Sequence, residues 1–181
     1  EQCFLTLARR GSAKYILEGD IKSCFDTISH DWLRQHVPMD KVMLNKWLNA
    51  GYIEKENWYP TEFGVPQGGT ISPTLLVITL SGLENAVKSV ISPRKDKVHV
   101  CSYADDFIIT GETKEVLENK VTPILENFLL ERGLVLSQEK TRITHIDEGF
   151  DFLGVNFRKY NGKLIRKPAK DNIRKFLENI R

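Results

Sequence analysis

The chain of 181 residues is 41% hydrophobic and carries a formal net charge of +2 at pH 7, a balance that can bury the core of one domain. No uninterrupted apolar run is long enough to cross a bilayer and no signal-peptide pattern stands out, so no membrane contact is expected and a cytoplasmic location is the default. Cys3, Cys24 and Cys101 are odd in number and widely spaced; they exclude a paired metal-ligand pattern and read as buried thiols.

In chain order, an opening helix ends near Gly11, and the apolar run from Tyr15 forms a strand that carries Asp20. Short helices follow from Ser29 to Val37 and from Asp40 to Ala50, the second stopped by Gly51, with His30 expected to pack or cap locally. Ser72 and Pro73 read as an N-cap and a first-turn proline, after which Leu76, Leu80, Leu83, Val87 and Val90 recur at helical spacing. A hairpin around Asp105 and Asp106 comes next. A helical segment then runs from Lys114 to Arg132, kinked or divided at Pro123 and closed by Gly133. Short strands at 134–136, 143–145, 152–157 and 163–165 complete an α+β architecture, an antiparallel sheet with helices packed on one face.

The overall charge hides an asymmetry. Residues 1–157 carry a net −5 and residues 158–181 a net +7. Arg158, Lys159, Lys163, Arg166, Lys167, Lys170, Arg174 and Lys175 could track a phosphate backbone, or form a solvated surface. The interleaved Phe157, Tyr160, Leu164 and Ile165 favour a segment that packs against something.

Two adjacent carboxylates between apolar, β-branched strands need a reason, because consecutive Asp residues are poor strand formers and repel each other. A bound cation removes the conflict, and hard oxygen ligands at a turn suit magnesium. The competing reading is a solvated Asp-rich turn. Asp20 ends a second apolar run; two such strands side by side would let Asp20 and Asp105 hold two ions roughly 3.5 to 4 Å apart, the geometry of metal-assisted phosphoryl transfer.

Tyr103-Ala104-Asp105-Asp106 resembles the YADD box of reverse transcriptases, and Asp20-Ile21-Lys22-Ser23-Cys24-Phe25-Asp26 the first catalytic motif of their palm. Gly64-Val65-Pro66-Gln67-Gly68-Gly69-Thr70-Ile71-Ser72-Pro73 resembles the PQG motif, and Leu136-Ser137-Gln138-Glu139-Lys140-Thr141 and Phe152-Leu153-Gly154 the two motifs that close the palm. The wording of the set is most similar to the bacterial group II intron reverse transcriptase, or intron maturase. The resemblance implies an RNA-directed DNA polymerase that adds deoxynucleoside triphosphates to a DNA primer on an RNA template with two Mg²⁺ ions, intron RNA being a further partner. It implies Asp20, Asp105 and a less central Asp106 as metal-binding acids, with the Ile21 carbonyl completing one ion. It implies Phe25 as the gate beneath the incoming sugar, Gln67 and Gly68 at the nucleotide, Lys140 near the departing pyrophosphate, and Phe152, Leu153 and Gly154 at the primer end. Phe25 as a plain core residue and Lys140 as an exposed partner of Glu139 or Asp147 are the competing readings, while Tyr103 and Phe107 are expected to pack the hairpin and Asp26 to pair with a cation. The expected division is a palm with fingers remnants over 1–157 and a basic palm-to-thumb junction over 158–181, a palm-centred fragment that polymerises weakly by itself. An RNA-binding maturase module and a retron or defence-associated reverse transcriptase are the alternatives.

Overall fold

The computed structural model describes residues 1–9, 11–66 and 68–180. Its centre is a four-stranded antiparallel sheet in the order β5-β6-β1-β8, made of β1 (Tyr15–Gly19), β5 (Val100–Tyr103), β6 (Asp106–Gly111) and β8 (Arg142–His145). Alternation along the strands decides what each face covers. Leu17 of β1 and Phe107 and Ile109 of β6 join the larger core, whereas Ile16 and Ile108 join the second.

The larger core lies between the sheet and a layer of helices. These are α2 (Cys24–Thr27), α3 (His30–His36), α4 (Lys41–Leu48), α5 (Ser72–Leu80), α6 (Leu83–Lys88) and α9 (Thr122–Leu130). Leu33, Leu44, Leu75, Leu76, Val87, Leu125 and Leu129 are their buried contributions. Two of the helices begin on side chains that satisfy orphan amides. Ser29 Oγ accepts from the Trp32 amide, and Asp40 Oδ1 accepts from the Met43 amide at 2.9 Å.

The opposite face of the sheet is covered by α1 (Gln2–Ala8) and by a three-stranded sheet in the order β11-β10-β9, formed by β9 (Phe150–Phe152), β10 (Val155–Tyr160) and β11 (Lys163–Pro168). Cys3, Leu7, Ile146, Phe150 and Phe157 fill this second core. All three cysteines are free and buried. The chain closes with α10 (Lys170–Ile180). The division placed after Phe157 falls inside β10, so residues beyond it share a sheet with those before it.

Several expectations need correction. The periodic run from Leu76 to Val90 is two helices, because the chain breaks at Ser81 and Gly82. Ser72 is the first residue of α5, with Ile71 at the cap, and its hydroxyl donates to the Pro66 carbonyl at 2.8 Å. The strand expected over 152–157 is a hairpin: Phe152 pairs with Val155 across Leu153 and Gly154, both at positive φ. The segment from Lys114 divides as expected, but as α8 (Lys114–Val116), a π-helical turn over Leu117–Val121 and then α9, so the widened turn absorbs Pro123. A hairpin of β3 (Tyr52–Glu54) and β4 (Asn57–Tyr59) was not expected at all. The last short pieces are α7 (Pro93–Asp96) and the pair of β2 (Ile21–Lys22) with β7 (Val135–Leu136).

Candidate active site

Register brings the acids together. β1 pairs with β6 so that Gly19 faces Phe107, which sets Asp20 beside the start of β6, where Asp106 pairs with Tyr103 across the Ala104-Asp105 turn. Ala104 takes φ +52 there. The Asp20 backbone is held on its other side: its carbonyl accepts from the Ser137 amide at 2.8 Å, and its amide donates to the Thr141 hydroxyl at 3.4 Å.

The charges of Asp20 and Asp105 act on Asp106 and on Cys24. Partial desolvation, then the charges of Asp105 and Asp20, hold the Asp106 carboxyl above its ordinary value. Burial, then the same two charges and that of Asp26, pushes the Cys24 thiol up to about 12. The Lys140 ammonium stands 3.4 Å from Asp20 Oδ2, yet without hydrogen-bond alignment, so that buried oxygen has no hydrogen-bond partner among the described residues. Lys140 therefore sits with the acids and not with Glu139 or Asp147.

Asp20, Asp106, Lys140 and Phe152 line one small cavity of about 170 Å³, together with Glu18, Asp151 and backbone or side-chain atoms of Gly19, Phe107 and Ile108. Glu18 is engaged by Arg142 through two hydrogen bonds of 2.8 and 2.9 Å, so it serves the β1–β8 pairing. Asp151 accepts from Asn156 Nδ2 at 2.6 Å. Neither acid carried a sequence signal; both arrive through strand register.

The PQG segment is tied to the first acidic motif. The Gly64 amide donates to the Ile28 carbonyl at 2.9 Å and the Val65 amide to the Phe25 carbonyl at 2.7 Å, while the buried His30 Nε2 donates to the Gly64 carbonyl at 2.6 Å. A Cβ on Gly64, at φ +71, would lie 2.3 Å from the Phe25 carbonyl oxygen. This position thus demands glycine for both conformation and room. His30 is a loop clamp, a more specific role than local packing. Among the described residues no three His, Cys, Asp or Glu side chains stand in a ready metal-holding cluster.

The family described as "Reverse transcriptase (RNA-dependent DNA polymerase)" matches residues 2–157. The chain belongs to the reverse transcriptase family. Protein YkfC of Escherichia coli (strain K12) is 29% identical over 194 residues, covering 87% of this chain and 48% of its own length. Group II intron-encoded protein LtrA of Lactococcus lactis subsp. cremoris is 26% identical over 251 residues, covering 92% of this chain and 41% of its own. The chain thus spans less than half the length of these relatives. Among solved structures, apo telomerase from Candida tropicalis superposes with a TM-score of 0.65 at 16% identity, over 90% of this chain and 34% of that one. Telomerase from Candida albicans in complex with a TWJ fragment of telomeric RNA gives 0.65 at 16%, over 92% and 32%. At such identities the likeness shows the shared palm-like fold.

Within this reverse transcriptase fold the other expected residues sit as follows. Ile21 follows Asp20 into β2 with its side chain in the core. Phe25 is half-buried against the larger core. Gln67 lies outside the described residues, and Gly68 takes φ +86 in open space. Leu153 is 49% exposed at φ +49, and the Gly154 carbonyl accepts from the Ala169 amide at 2.9 Å and from Asn172 Nδ2 at 3.2 Å, so the start of α10 braces that turn. Asp26 forms no ion pair among the described residues. Phe107 is buried as expected, but Tyr103 is 68% exposed and lines a groove of about 630 Å³ beside α5 and α6.

Proposed function

We propose that this chain is the palm of an RNA-directed DNA polymerase that extends a DNA primer on an RNA template with deoxynucleoside triphosphates, within a protein encoded by a group II intron. The observation that carries the reading is Asp20 at the end of β1 beside the Asp105-Asp106 turn, with one buried Asp20 oxygen unpartnered and a lysine 3.4 Å away. Neighbouring carboxylates with free lone pairs are the donor set a divalent cation takes, and magnesium keeps room for substrate phosphates. Asp20 and Asp105, with Asp106 as a third acid and the Ile21 carbonyl as a further oxygen, would hold two such ions. When bound, these ions activate the primer hydroxyl and stabilise the leaving pyrophosphate.

The chain's own residues supply positioning and charge. Lys140 neutralises or protonates the departing phosphate. Phe25 lies beneath the incoming sugar and excludes a 2′-hydroxyl, and Gln67 and Gly68 meet the nucleotide. The Leu153-Gly154 turn, flanked by Phe152, holds the primer end. Residues 158–181 lead from the palm toward the domain that grips the duplex. Primer extension on RNA by the intact protein that carries this chain tests the reading. Asp105→Ala and Asp106→Ala should each depress synthesis, Asp105→Ala more; unchanged synthesis in both removes the metal-site assignment.

A further inference from the structure

The strand that carries Asp20 has an interrupted partner. Before the acid, β1 pairs with β8, with Glu18 opposite Arg142; after it, β2 pairs with β7, with Ile21 opposite Leu136. Between those two pairs the partner chain runs from Ser137 to Thr141, while the acid's own strand holds only Gly19 and Asp20. The surplus leaves the ladder as a turn, the kind of interruption that re-aims a side chain beside an active site.

Three hydrogen bonds close the gap in a ring. The Ser137 amide donates to the Asp20 carbonyl at 2.8 Å, the Thr141 amide donates to the Ser137 carbonyl at 2.8 Å, and the Asp20 amide donates to the Thr141 hydroxyl at 3.4 Å. Only the third bond depends on which residue stands at 141, because it alone uses a side chain.

Packing does little to hold this turn. Gln138, Glu139 and Lys140 are exposed, and a cavity of about 360 Å³ lies against Gln138 and Thr141, with Leu17, Leu136 and Ile143 among its other walls. Lys140 lines the acid cavity instead, its ammonium 3.4 Å from Asp20 Oδ2. The ring therefore ties the backbone of the acid to that of the residue next to the lysine.

We propose that Thr141 is a positioning residue for nucleotide addition: by accepting from the Asp20 amide it fixes the Ser137–Thr141 turn on the acid, and so sets where the Lys140 ammonium meets the departing phosphate. The proposal rests on the polymerase reading above and adds the group that aims Lys140. It needs the hydroxyl and not the methyl, so serine can serve at 141 and valine, of nearly the same shape, cannot.

The test compares Thr141→Val with Thr141→Ser in the intact protein, on an RNA–DNA primer–template. Thr141→Val should lower kcat for single-nucleotide addition by about tenfold, a part of the roughly 10²–10⁴ that a well-placed general acid supplies. The nucleotide KM should stay within about twofold, since the lost contact acts in the transition state. Thr141→Ser should return kcat to near the wild-type value. In a Lys140→Ala background, Thr141→Val should cost less than about twofold, because the group it aims is gone. Hydrogen exchange of the Asp20 amide should quicken by about tenfold in Thr141→Val and stay slow in Thr141→Ser. An unchanged kcat or an unchanged Asp20 exchange rate in Thr141→Val overturns the role. So does a serine variant as slow as the valine one, or an undiminished loss in the Lys140→Ala background. These outcomes, in a wild type that extends its primer, defeat the Thr141 role alone; a wild type that extends none defeats the polymerase reading and the role with it.

Discussion

Gly64→Ala is the sharpest probe of how the PQG segment is attached to the acidic motif. Gly64 has φ +71, and a Cβ there would stand 2.3 Å from the Phe25 carbonyl oxygen and 2.4 Å from the Asp26 carbonyl carbon, both backbone atoms. Left-handed backbone costs an alanine about 1–2 kcal/mol, and relieving an overpacked contact against backbone costs about 1–3 kcal/mol. The shift also stretches the Gly64-to-Ile28, Val65-to-Phe25 and His30-to-Gly64 hydrogen bonds. A loss of about 3 kcal/mol is expected. Gly68→Ala is the matched control: its φ is +86 but nothing lies within 4 Å of the added carbon, so only the conformational cost of about 1–2 kcal/mol remains. Urea unfolding gives the two losses, and hydrogen exchange of the Val65 amide reports whether the attachment itself loosens. Equal destabilisation by the two substitutions, or an unchanged Val65 exchange rate in Gly64→Ala, would refute the steric argument.

Asp20→Asn should lower primer extension by about 10³ or more, while the urea midpoint holds or rises, because the buried Oδ2 has no hydrogen bond to lose; a large fall in the midpoint would make Asp20 structural. Asp96 is 2% exposed and held below its ordinary 3.8, first by the Ser92 amide and then by Lys120. A lowered carboxylate pKa stabilises fully above the unfolded value and loses that stability as pH falls through the native one. Asp96→Asn should therefore cost about 2 kcal/mol near neutrality and less in acid, as thermal melts between pH 7 and pH 3 will show; a constant cost would contradict it. Leu153→Gly should stabilise by about 0.5–1 kcal/mol by relieving a left-handed leucine, raising Tm by about 2 °C in calorimetry; a fall would mean that the half-exposed side chain packs more than its exposure suggests.

Elements whose signals are local were legible in the sequence. Ser29 and Asp40 cap their helices through their own side chains, and the Asp105-Asp106 pair lies at a turn between strands rich in β-branched residues. The break between α5 and α6 was hidden because both helices face one core, so the apolar period runs through Ser81 and Gly82 unchanged. Two hairpins were missed for a shared reason. Their turns place Lys55-Glu56 and Leu153-Gly154 at positive φ, and only one of those four residues is a usual resident of that region. The candidate site divides the same way. Asp20, Asp105 and Asp106 stood out as acids ending apolar runs, whereas Asp151 entered the cavity through a pairing with Asn156 that no local pattern encodes.

Asp105 closes the turn and Asp106 opens β6, so only Asp106 has its face set by strand alternation. Asp106 shares a strand face with Ile108, which belongs to the second core, and both line the cavity with Phe152. Asp105's charge reaches both Asp106 and Cys24, the latter at the start of α2 in the larger core, beside the Phe25 carbonyl that holds the PQG segment. Asp20's charge reaches the same two groups, because the chain leaves β1 at that point between the two layers. A one-residue slip between β1 and β6 would turn Asp106 to the opposite face of the sheet and away from the cavity. Phe107 opposes it: buried against the Gly19 backbone, with no room for a side chain at that position, it locks the register that sets Asp106 beside Asp20.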